Sequence, residues 1–293
     1  METVEMVKDI LGMPTEPKGI VRSMPEAEYH SRPELSSTGA RLLLDCPARF
    51  RWAQDNPEPF KKHFDVGSAV HAKVLGVGAA VVAIPEGLLA SNGAASTTAA
   101  KNFIAEAREA GLIPLKKAEV DEIDAISESV LAHPGAKSLL EQQGDSEASV
   151  FAADPDTGVR MRARFDFLPA FTVDDPVAVD LKTGLDASPE GFAKTAAQHR
   201  YDIQQEWYLL AYGLATGDFS LQMKFITVEK TPPYLVGVYR LGMDFQQMAH
   251  KQVLRALATF KACTDADLWP GYPLDVGPLQ PPQWLYFAEG VLS

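Results

Sequence analysis

Hydrophobic residues recur at helical spacing through the first half of the chain. The stretch LSSTGARLLLDCPARFRWAQ (35–54) predicts a helix that Ser36 or Ser37 caps and that Pro47 interrupts. KKHFDVGSAVHAKVLG (61–76) predicts a second helix, with an apolar face formed by valines four residues apart. The pattern further predicts a short strand over 80–87, the start of a helix within 90–103 and an amphipathic helix over 120–133.

After residue 146 the period changes from helical to alternating. Two alternating runs flank the turn DPDTG (154–158) and predict a β-hairpin, and VAVDLKTG (177–184) predicts a third strand. A long helix follows, broken near His199 and ended by Gly217. The remaining predicted elements are strands over 220–230 and 234–241, joined by a Pro-Pro turn, and a helix over 243–263.

This order of elements predicts an α/β (α+β) fold, with a central mixed β-sheet flanked by helices and a helical N-terminal part. We expect an arm over 1–24, one domain over 25–265 and an irregular tail over 266–293. Within the domain, 25–145 is the mainly helical part and 146–265 supplies the sheet and its helices.

The strand VAVDLKTG carries two charges where an apolar strand is expected. Asp180 and Lys182 are two positions apart, so their side chains share one face of the strand. Burying both costs several kcal/mol unless something compensates. The alternative is a surface ion pair on an edge strand, because isolated Asp-x-Lys tripeptides are common.

The preceding strand suggests what compensates these charges. In VRMRARFDFLP (159–169), Asp166 lies near the end of the strand, and pairing with the next strand brings it close to Asp180. Two adjacent carboxylates repel each other unless they share a proton or a cation. Oxygen ligands suit Mg²⁺ or Mn²⁺, and Lys182 would then neutralise charge developing on a phosphate or position an attacking water.

Two polar residues follow on the long helix. Gln204 and Tyr208 are four residues apart and share a helix face, from which both can contact a phosphate or a base. By spacing alone, a half-buried Tyr208 and a solvated Gln204 are the more common explanation.

These motifs together resemble the RecB-like branch of the PD-(D/E)XK nuclease superfamily. That branch has an Asp ending the second strand, Asp/Glu-x-Lys on the third and Gln-x-x-x-Tyr on the next helix, and GSAVH (67–71) is similar to its upstream Gly-x-x-x-His. More narrowly, the chain resembles RecE (exonuclease VIII) type exonucleases of phages and prophages. The similar stretches are YHSRPELSSTGARLLLDCPARFRW, FDVGSAVHAKVLG, VRMRARFDFLP, VDLKTG and HRYDIQQEWYLLAY.

The resemblance implies a metal-dependent exonuclease that digests linear double-stranded DNA from its ends, 5′→3′. It implies a restriction-endonuclease-like core in which Asp166, Asp180, His71 and the Leu181 carbonyl bind Mg²⁺ or Mn²⁺, with Lys182 catalytic. Glu147, which opens the first strand, is a further candidate ligand. The alternatives are a core histidine for His71 and an exposed strand-end glutamate for Glu147.

The resemblance also implies a ring-shaped homo-oligomer around DNA and a RecT-like single-strand annealing partner. A ring needs few basic contacts, which fits the formal net charge of -12. We expect contacts with DNA from Gln204, Tyr208, Arg162, Arg164 and Arg200, with Arg160 and Lys194 along the same path. An ordinary solvated basic face is the alternative for the cations.

Composition narrows the remaining choices. The two cysteines, Cys46 and Cys263, cannot supply the four that the iron–sulphur cluster of CRISPR adaptation or AddB-type nucleases requires. No apolar run approaches a membrane span and no signal pattern opens the chain, which predicts a soluble intracellular protein, and the resemblance implies the cytoplasm of a bacterial host. The competing functions are a non-catalytic DNA-end-binding or protein-interaction module on the same fold and an endonuclease of the same superfamily.

Overall fold

The structure is a computed structural model that describes residues 19–56, 66–78, 80–171, 173–273, 277–282 and 285–286. Three predicted features extend beyond these residues: the first part of the arm (1–18), the start of the second helix (61–65) and parts of the tail. The remaining part of the arm opens with a strand that joins the central sheet.

The N-terminal part is mainly helical. Its second helix begins after Ser36, whose hydroxyl accepts a hydrogen bond from the Gly39 amide, and the third begins at Pro47 because proline suits a first helical turn. The elements are β1 (Gly19–Val21), α1 (Glu26–Ser31), β2 (Leu35–Ser36), α2 (Ser37–Asp45), α3 (Pro47–Asp55), α4 (Val66–Leu75), β3 (Val81–Ala83), a 3₁₀ turn (Glu86–Leu88), α5 (Thr98–Glu109), β4 (Ile113–Leu115), α6 (Lys117–Ala132) and α7 (Pro134–Leu140).

The C-terminal part carries most of the central sheet. The predicted hairpin and the predicted strand over 177–184 are both present, and Gly217 ends the ninth helix with a left-handed φ of 79°. The elements are β5 (Gly144–Ala153), β6 (Arg160–Pro169), β7 (Val177–Gly184), α8 (Pro189–His199), α9 (Tyr201–Thr216), β8 (Gln222–Glu229), β9 (Val236–Tyr239) and α10 (Met243–Ala266).

The central sheet is mixed, with strand order β1-β5-β6-β7-β8-β9. Strand β7 pairs antiparallel with β6 and parallel with β8, so it lies in the interior of the sheet. The α/β fold class with a central mixed sheet is therefore confirmed. None of the described helices combines the length and hydrophobicity needed to cross a bilayer.

Strand β6 changes partners along its length. Met161 and Arg162, near its start, pair in parallel with β2, whereas the only pairing of β6 with β7 joins Phe167 to Val179. Strands β2 and β7 therefore leave a fork along one side of β6. The candidate active site lies in this fork.

Two hydrophobic clusters cover the two faces of the sheet. The larger cluster contains Trp207 and Tyr208 of α9 and Val253 of α10, packed with Phe165 and Phe225 of the sheet. The second packs buried residues of α4 and α6 against Val179, Leu181 and other residues of the sheet. Each helix that contributes a side chain to the site belongs to one of these clusters.

Candidate active site

Asp166 lies at a local twist of β6. Phe165 belongs to the larger hydrophobic cluster and Phe167 to the second, although residues two apart share a face in a regular strand. The twist between them turns the Asp166 side chain into the fork, where Oδ2 accepts a hydrogen bond of 2.7 Å from the Leu181 amide of β7. The Leu181 carbonyl points to the same side of its strand as its amide, and so toward the fork.

Glu147 stands opposite Asp166 on the neighbouring strand β5. The pairs Ser146–Phe167 and Ala148–Phe165 flank this position, and Glu147 itself has a left-handed φ of 56°. A non-glycine residue with this φ costs about 1 kcal/mol or more and persists where its surroundings hold it. Arg164 provides part of that restraint by donating a hydrogen bond to the Glu147 carboxylate.

His71, on helix α4, contacts both of these carboxylates. Its Nε2 lies 2.6 Å from Asp166 Oδ2 and its Nδ1 lies 3.4 Å from Glu147 Oε1. The helix is tied to the sheet by the Ser146 hydroxyl, which donates to the Leu75 carbonyl over 2.9 Å. One ligand atom each from His71, Glu147 and Asp166 lies within 4.8 Å of the other two, so one cation could contact all three.

Asp180 and Lys182 form a buried ion pair beside this cluster. Asp180 Oδ2 lies 2.6 Å from Lys182 Nζ, and the Asp180 side chain is 1% exposed. Because β7 is an interior strand, the alternative of a surface ion pair on an edge strand does not hold. Oδ2 is buried and receives no hydrogen bond of regular geometry from the described residues, despite this close charge contact. It is therefore available as a ligand atom.

The pKa values of the two aspartates are driven apart. Burial raises the pKa of Asp180 to about 6, although Lys182 acts in the opposite direction. Burial also opposes ionisation of Asp166, but the charge of His71, the Lys182 ammonium and the Leu181 amide outweigh it and lower the pKa of Asp166. In the absence of a metal ion, each of the two carboxylates must therefore either carry a proton or pair with a positively charged side chain.

His71 and Lys182 provide that compensation. Burial disfavours the charged form of His71, but Asp166 and Glu147 outweigh it and raise the pKa of His71 to about 9. Burial likewise opposes the charge of Lys182, and Asp180 and Asp166 outweigh it and raise the pKa of Lys182. A bound divalent ion could replace the proton on His71. The imidazole and the two carboxylates that converge here are a donor set that fits Mg²⁺ or Mn²⁺, and the Asp180 carboxylate lies beside them.

Gln204 and Tyr208 project from α9 toward Asp180. The Gln204 amide donates to Asp180 Oδ1 over 2.5 Å, and both residues of the pair are buried. Burial raises the pKa of Tyr208 well above its usual value, while a hydrogen bond with Gln204 acts in the opposite direction. These contacts favour a role in holding Asp180. Contact of Gln204 and Tyr208 with DNA stays a prediction.

The predicted DNA-binding arginines have partners within the protein. Arg162 donates to the carbonyls of Tyr29 and Arg32, and Arg164 donates to Glu147 and to the Met24 carbonyl. Arg200 forms a two-point ion pair with Asp202. These contacts favour roles in fixing the N-terminal segment, Glu147 and the start of α9. Their predicted contact with DNA remains untested.

Sequence reasoning missed two residues at the site. Burial lowers the pKa of Arg41 of α2, although Asp180 is among the groups that act in the opposite direction, and the partly buried Arg41 guanidinium donates to the His199 carbonyl over 2.6 Å. The Tyr201 ring lies 4.7 Å from Lys182 Nζ. Arg41 lies in the segment LSSTGARLLL of the first predicted helix, but its position relative to the apolar residues there does not distinguish it from a solvent-exposed helix residue. Tyr201 lies two residues after His199, and the predicted helix break at His199 is the sequence signal that points to it.

The interior Asp-x-Lys strand, the facing aspartate and the helical Gln-x-x-x-Tyr define the PD-(D/E)XK class of nuclease-like folds. Residues 36–275 match the family described as "PDDEXK-like domain of unknown function (DUF3799)". The chain belongs to this family, and its membership of the PD-(D/E)XK superfamily is thereby confirmed. No curated protein matches the chain.

One solved structure shares the fold of this chain. A protein described as a candidate exonuclease from Eubacterium rectale matches with a TM-score of 0.56 at 12% identity, covering 93% of this chain and 100% of that one. An alkaline exonuclease from Laribacter hongkongensis is also found, with a TM-score of 0.27 at 12% identity and coverage of 68% and 95%. Because the sequence identity is only 12%, the match to the Eubacterium rectale structure establishes the fold alone. Family and fold together support a nuclease.

Proposed function

We propose that this protein is a divalent-metal-dependent deoxyribonuclease that digests linear double-stranded DNA from its ends. The observation that carries the proposal is the convergence of His71, Glu147 and Asp166 around one point, next to the buried Asp180–Lys182 pair on an interior strand. Burying charged groups is costly, and replacing a buried ion pair with well-packed apolar residues is often neutral or stabilising. Function is the better reason for their presence.

In the proposed site, Asp166, Asp180, His71 and the Leu181 carbonyl hold the metal, which we propose is Mg²⁺, with Mn²⁺ as a substitute. Glu147 is either a further ligand or the group that orients His71 through Nδ1. When bound, such an ion polarises a phosphate and lowers the pKa of a water molecule. Hydrogen bonds would fix the position of the ion by holding its ligands: the Leu181 amide donates to Asp166, and the Gln204 amide donates to Asp180.

Lys182 is the proposed catalytic residue. Its ammonium group is beside the carboxylates and keeps its proton, since the pKa of Lys182 is raised even though burial opposes the charge. It would lie against the oxygens on which negative charge grows during attack on the phosphodiester. Arg41, which donates a hydrogen bond to the His199 carbonyl, is a further proposed cation for the DNA backbone.

The finer parts of the proposal rest on the resemblance to RecE-type exonucleases. They are end-directed 5′→3′ digestion, an origin in a phage or prophage, a cytoplasmic location in a bacterial host and a RecT-like annealing partner for the single strands produced. The Eubacterium rectale protein is described as a candidate exonuclease, which supports the proposal of end-directed digestion.

The decisive experiment compares linear duplex DNA with covalently closed circles of the same sequence. The protein should degrade the linear form with Mg²⁺ and neither form with EDTA, and end-labelling either 5′ or 3′ strands gives the polarity. An Asp166→Asn, Asp180→Asn variant is the matched control for contaminating nucleases. Rapid cutting of the closed circle would point to the endonuclease, and DNA-end binding without any cleavage would point to the non-catalytic module.

A further inference from the structure

Lys182 contacts two chemically different groups among the residues that the structure describes. Asp180 forms an ion pair with it, and the aromatic ring of Tyr201 lies 4.7 Å from its Nζ. A cation within about 6 Å of a ring centroid is attracted by the negative face of the ring. The ammonium group is thus held from one side by a carboxylate and from another by an aromatic ring.

The junction between α8 and α9 places Tyr201 at this position. Arg200 adopts a left-handed conformation with φ 56° and ψ 48°, which ends α8 and redirects the chain into α9. Arg41 caps the end of α8 through the His199 carbonyl, and Arg200 pairs with Asp202 in the first turn of α9. Tyr201, between them, is the first residue of α9.

Neighbouring rings fix the plane of Tyr201. Phe225 of β8 stacks on it at 5.8 Å with an interplanar angle of 17°, and His199 stacks at 5.7 Å with an angle of 19°. No hydrogen bond of the Tyr201 hydroxyl is present among the described residues. The ring, rather than the hydroxyl, therefore carries the contact with Lys182.

The two partners of Lys182 differ in what happens to them during the proposed reaction. A carboxylate that coordinates a divalent ion attracts a neighbouring ammonium more weakly, because the ion neutralises its charge. The aromatic ring is unaffected by the ion. We propose that Tyr201 is a positioning residue that holds the Lys182 ammonium in place when Asp180 is engaged by the metal. This inference rests on the proposed nuclease function and assigns a residue that the nuclease motifs do not include.

The ring can be tested without changing its shape. Replacing Tyr201 with phenylalanine should keep the single-turnover rate within about twofold, while fluorinated phenylalanines should lower it progressively as the face of the ring loses negative charge. Tyr201→Leu should lower the rate about tenfold with little change in KM. The metal affinity measured by calorimetry should stay unchanged, since no metal ligand is altered.

A double-mutant cycle separates positioning of Lys182 from other roles. If Tyr201 acts through Lys182, Tyr201→Leu should cost nothing further in a Lys182→Ala background. The Lys182 ε-methylene resonances should also show a ring-current shift that persists with Mg²⁺, remains in Tyr201→Phe and disappears in Tyr201→Leu. Tyr272→Leu, at a tyrosine that is 73% exposed, is the matched control and should behave as wild type.

The outcomes of these experiments distinguish failure of the inference about Tyr201 from failure of the proposed function. An equal loss from Tyr201→Leu in both backgrounds would overturn the inference and indicate a direct contact with DNA or a packing role. A rate indifferent to fluorination would overturn it as well, and does not depend on whether Tyr201→Leu folds. If Lys182→Ala itself leaves the rate unchanged, the proposed function fails, which is a different outcome from failure at Tyr201.

Discussion

At the scale of single residues, Asp180 and Lys182 touch each other and yet have different proposed tasks. Asp180 has one oxygen held by Gln204 and another next to Lys182, so it is fixed before any cation arrives. Lys182 has its charge held between Asp180 and Tyr201. The contact between them stabilises the metal-free site, whereas the proposed chemistry needs the two groups to act separately.

Mutation should therefore separate the pair. Asp180→Ala removes a ligand and should abolish metal binding and cleavage together. Lys182→Ala should leave metal binding intact or tighter, because a neighbouring positive charge is gone, and should lower cleavage by about 3–4 kcal/mol in the barrier. Lys182→Arg should not restore the rate, because a planar guanidinium cannot replace a compact ammonium.

Calorimetric metal titration and single-turnover digestion of each variant measure the two properties. Variants that fold, bind Mg²⁺ and cut like wild type would reduce the pair to a structural ion pair.

Metal binding should release a proton from His71. The pKa of His71 is raised from 6.5 to about 9, so the residue is mostly protonated at pH 7.5 and must lose its proton to become a ligand. We expect release of about one proton per ion, and metal affinity that increases with pH up to about 9. Calorimetry in buffers of different ionisation enthalpy measures this number, and His71→Asn should abolish the release.

The same shift predicts the stability of the metal-free protein. A raised pKa means that protonated His71 stabilises the fold, fully below pH 6.5 and no longer above about pH 9. The unfolding temperature in EDTA should therefore fall across this window in wild type and less so in His71→Asn. A profile that is identical in the two proteins would contradict the assigned contacts of His71.

At the scale of elements, α9 is connected to β7 through Gln204. Gln204→Leu would leave a buried Asp180 oxygen without its donor, which should destabilise the protein by about 1–3 kcal/mol and reduce cleavage. Gln205 is a matched control, because it is also buried on the same helix and its amide oxygen accepts no hydrogen bond within the part of the chain that the structure describes. Gln205→Leu should be nearly neutral in urea unfolding. Equal losses from both variants would argue against the link.

Much of the element order could be predicted from hydrophobic periodicity. The hairpin, the strand over 177–184 and the helix break at His199 all have local causes: alternating side chains, a turn sequence and a change of period. The short elements β1, β2, β4, α1 and α7 were not predicted, because two to seven residues give no measurable period.

The site was only partly accessible from the sequence. Asp166, Asp180 and Lys182 could be placed together because their positions follow from strand alternation. The twist at Asp166 and the left-handed conformation of Glu147 could not be predicted in this way. The alternation of side chains along β6 fails only between Phe165 and Phe167, which belong to different hydrophobic clusters. The carbonyl partners of Arg162 and Arg164 in the N-terminal segment, Tyr29 and Met24, are 133 and 140 positions away, beyond any local pattern.

At the scale of the whole molecule, the net charge of -12 limits how DNA can be held. The resemblance to ring-forming exonucleases predicts a homo-oligomer, whose enclosed channel would retain DNA without a large basic surface. Light scattering at micromolar concentration should give a mass several times 31.9 kDa. A monomer that digests kilobases in one binding event would contradict the ring.

Salt dependence should be shallow for the same reason. Arg162, Arg164, Arg200 and Lys182 all have internal partners, which leaves few cations near the site to displace counterions from DNA. We expect a plot of log affinity for duplex ends against log salt to have a slope of about −3 or shallower. A slope near about −6 would show that a basic surface elsewhere contacts the duplex.

The fork in the sheet also bears on how the protein is made. His71 and Glu147 leave the ribosome early, but Asp180 is buried only once α9 and β8 cover it, so the site needs both hydrophobic clusters. Because domains fold as units during synthesis, an unfinished chain would hold no complete set of ligands until about residue 229 has emerged. On the proposed nuclease function, products truncated before about residue 229 should therefore be inactive toward DNA.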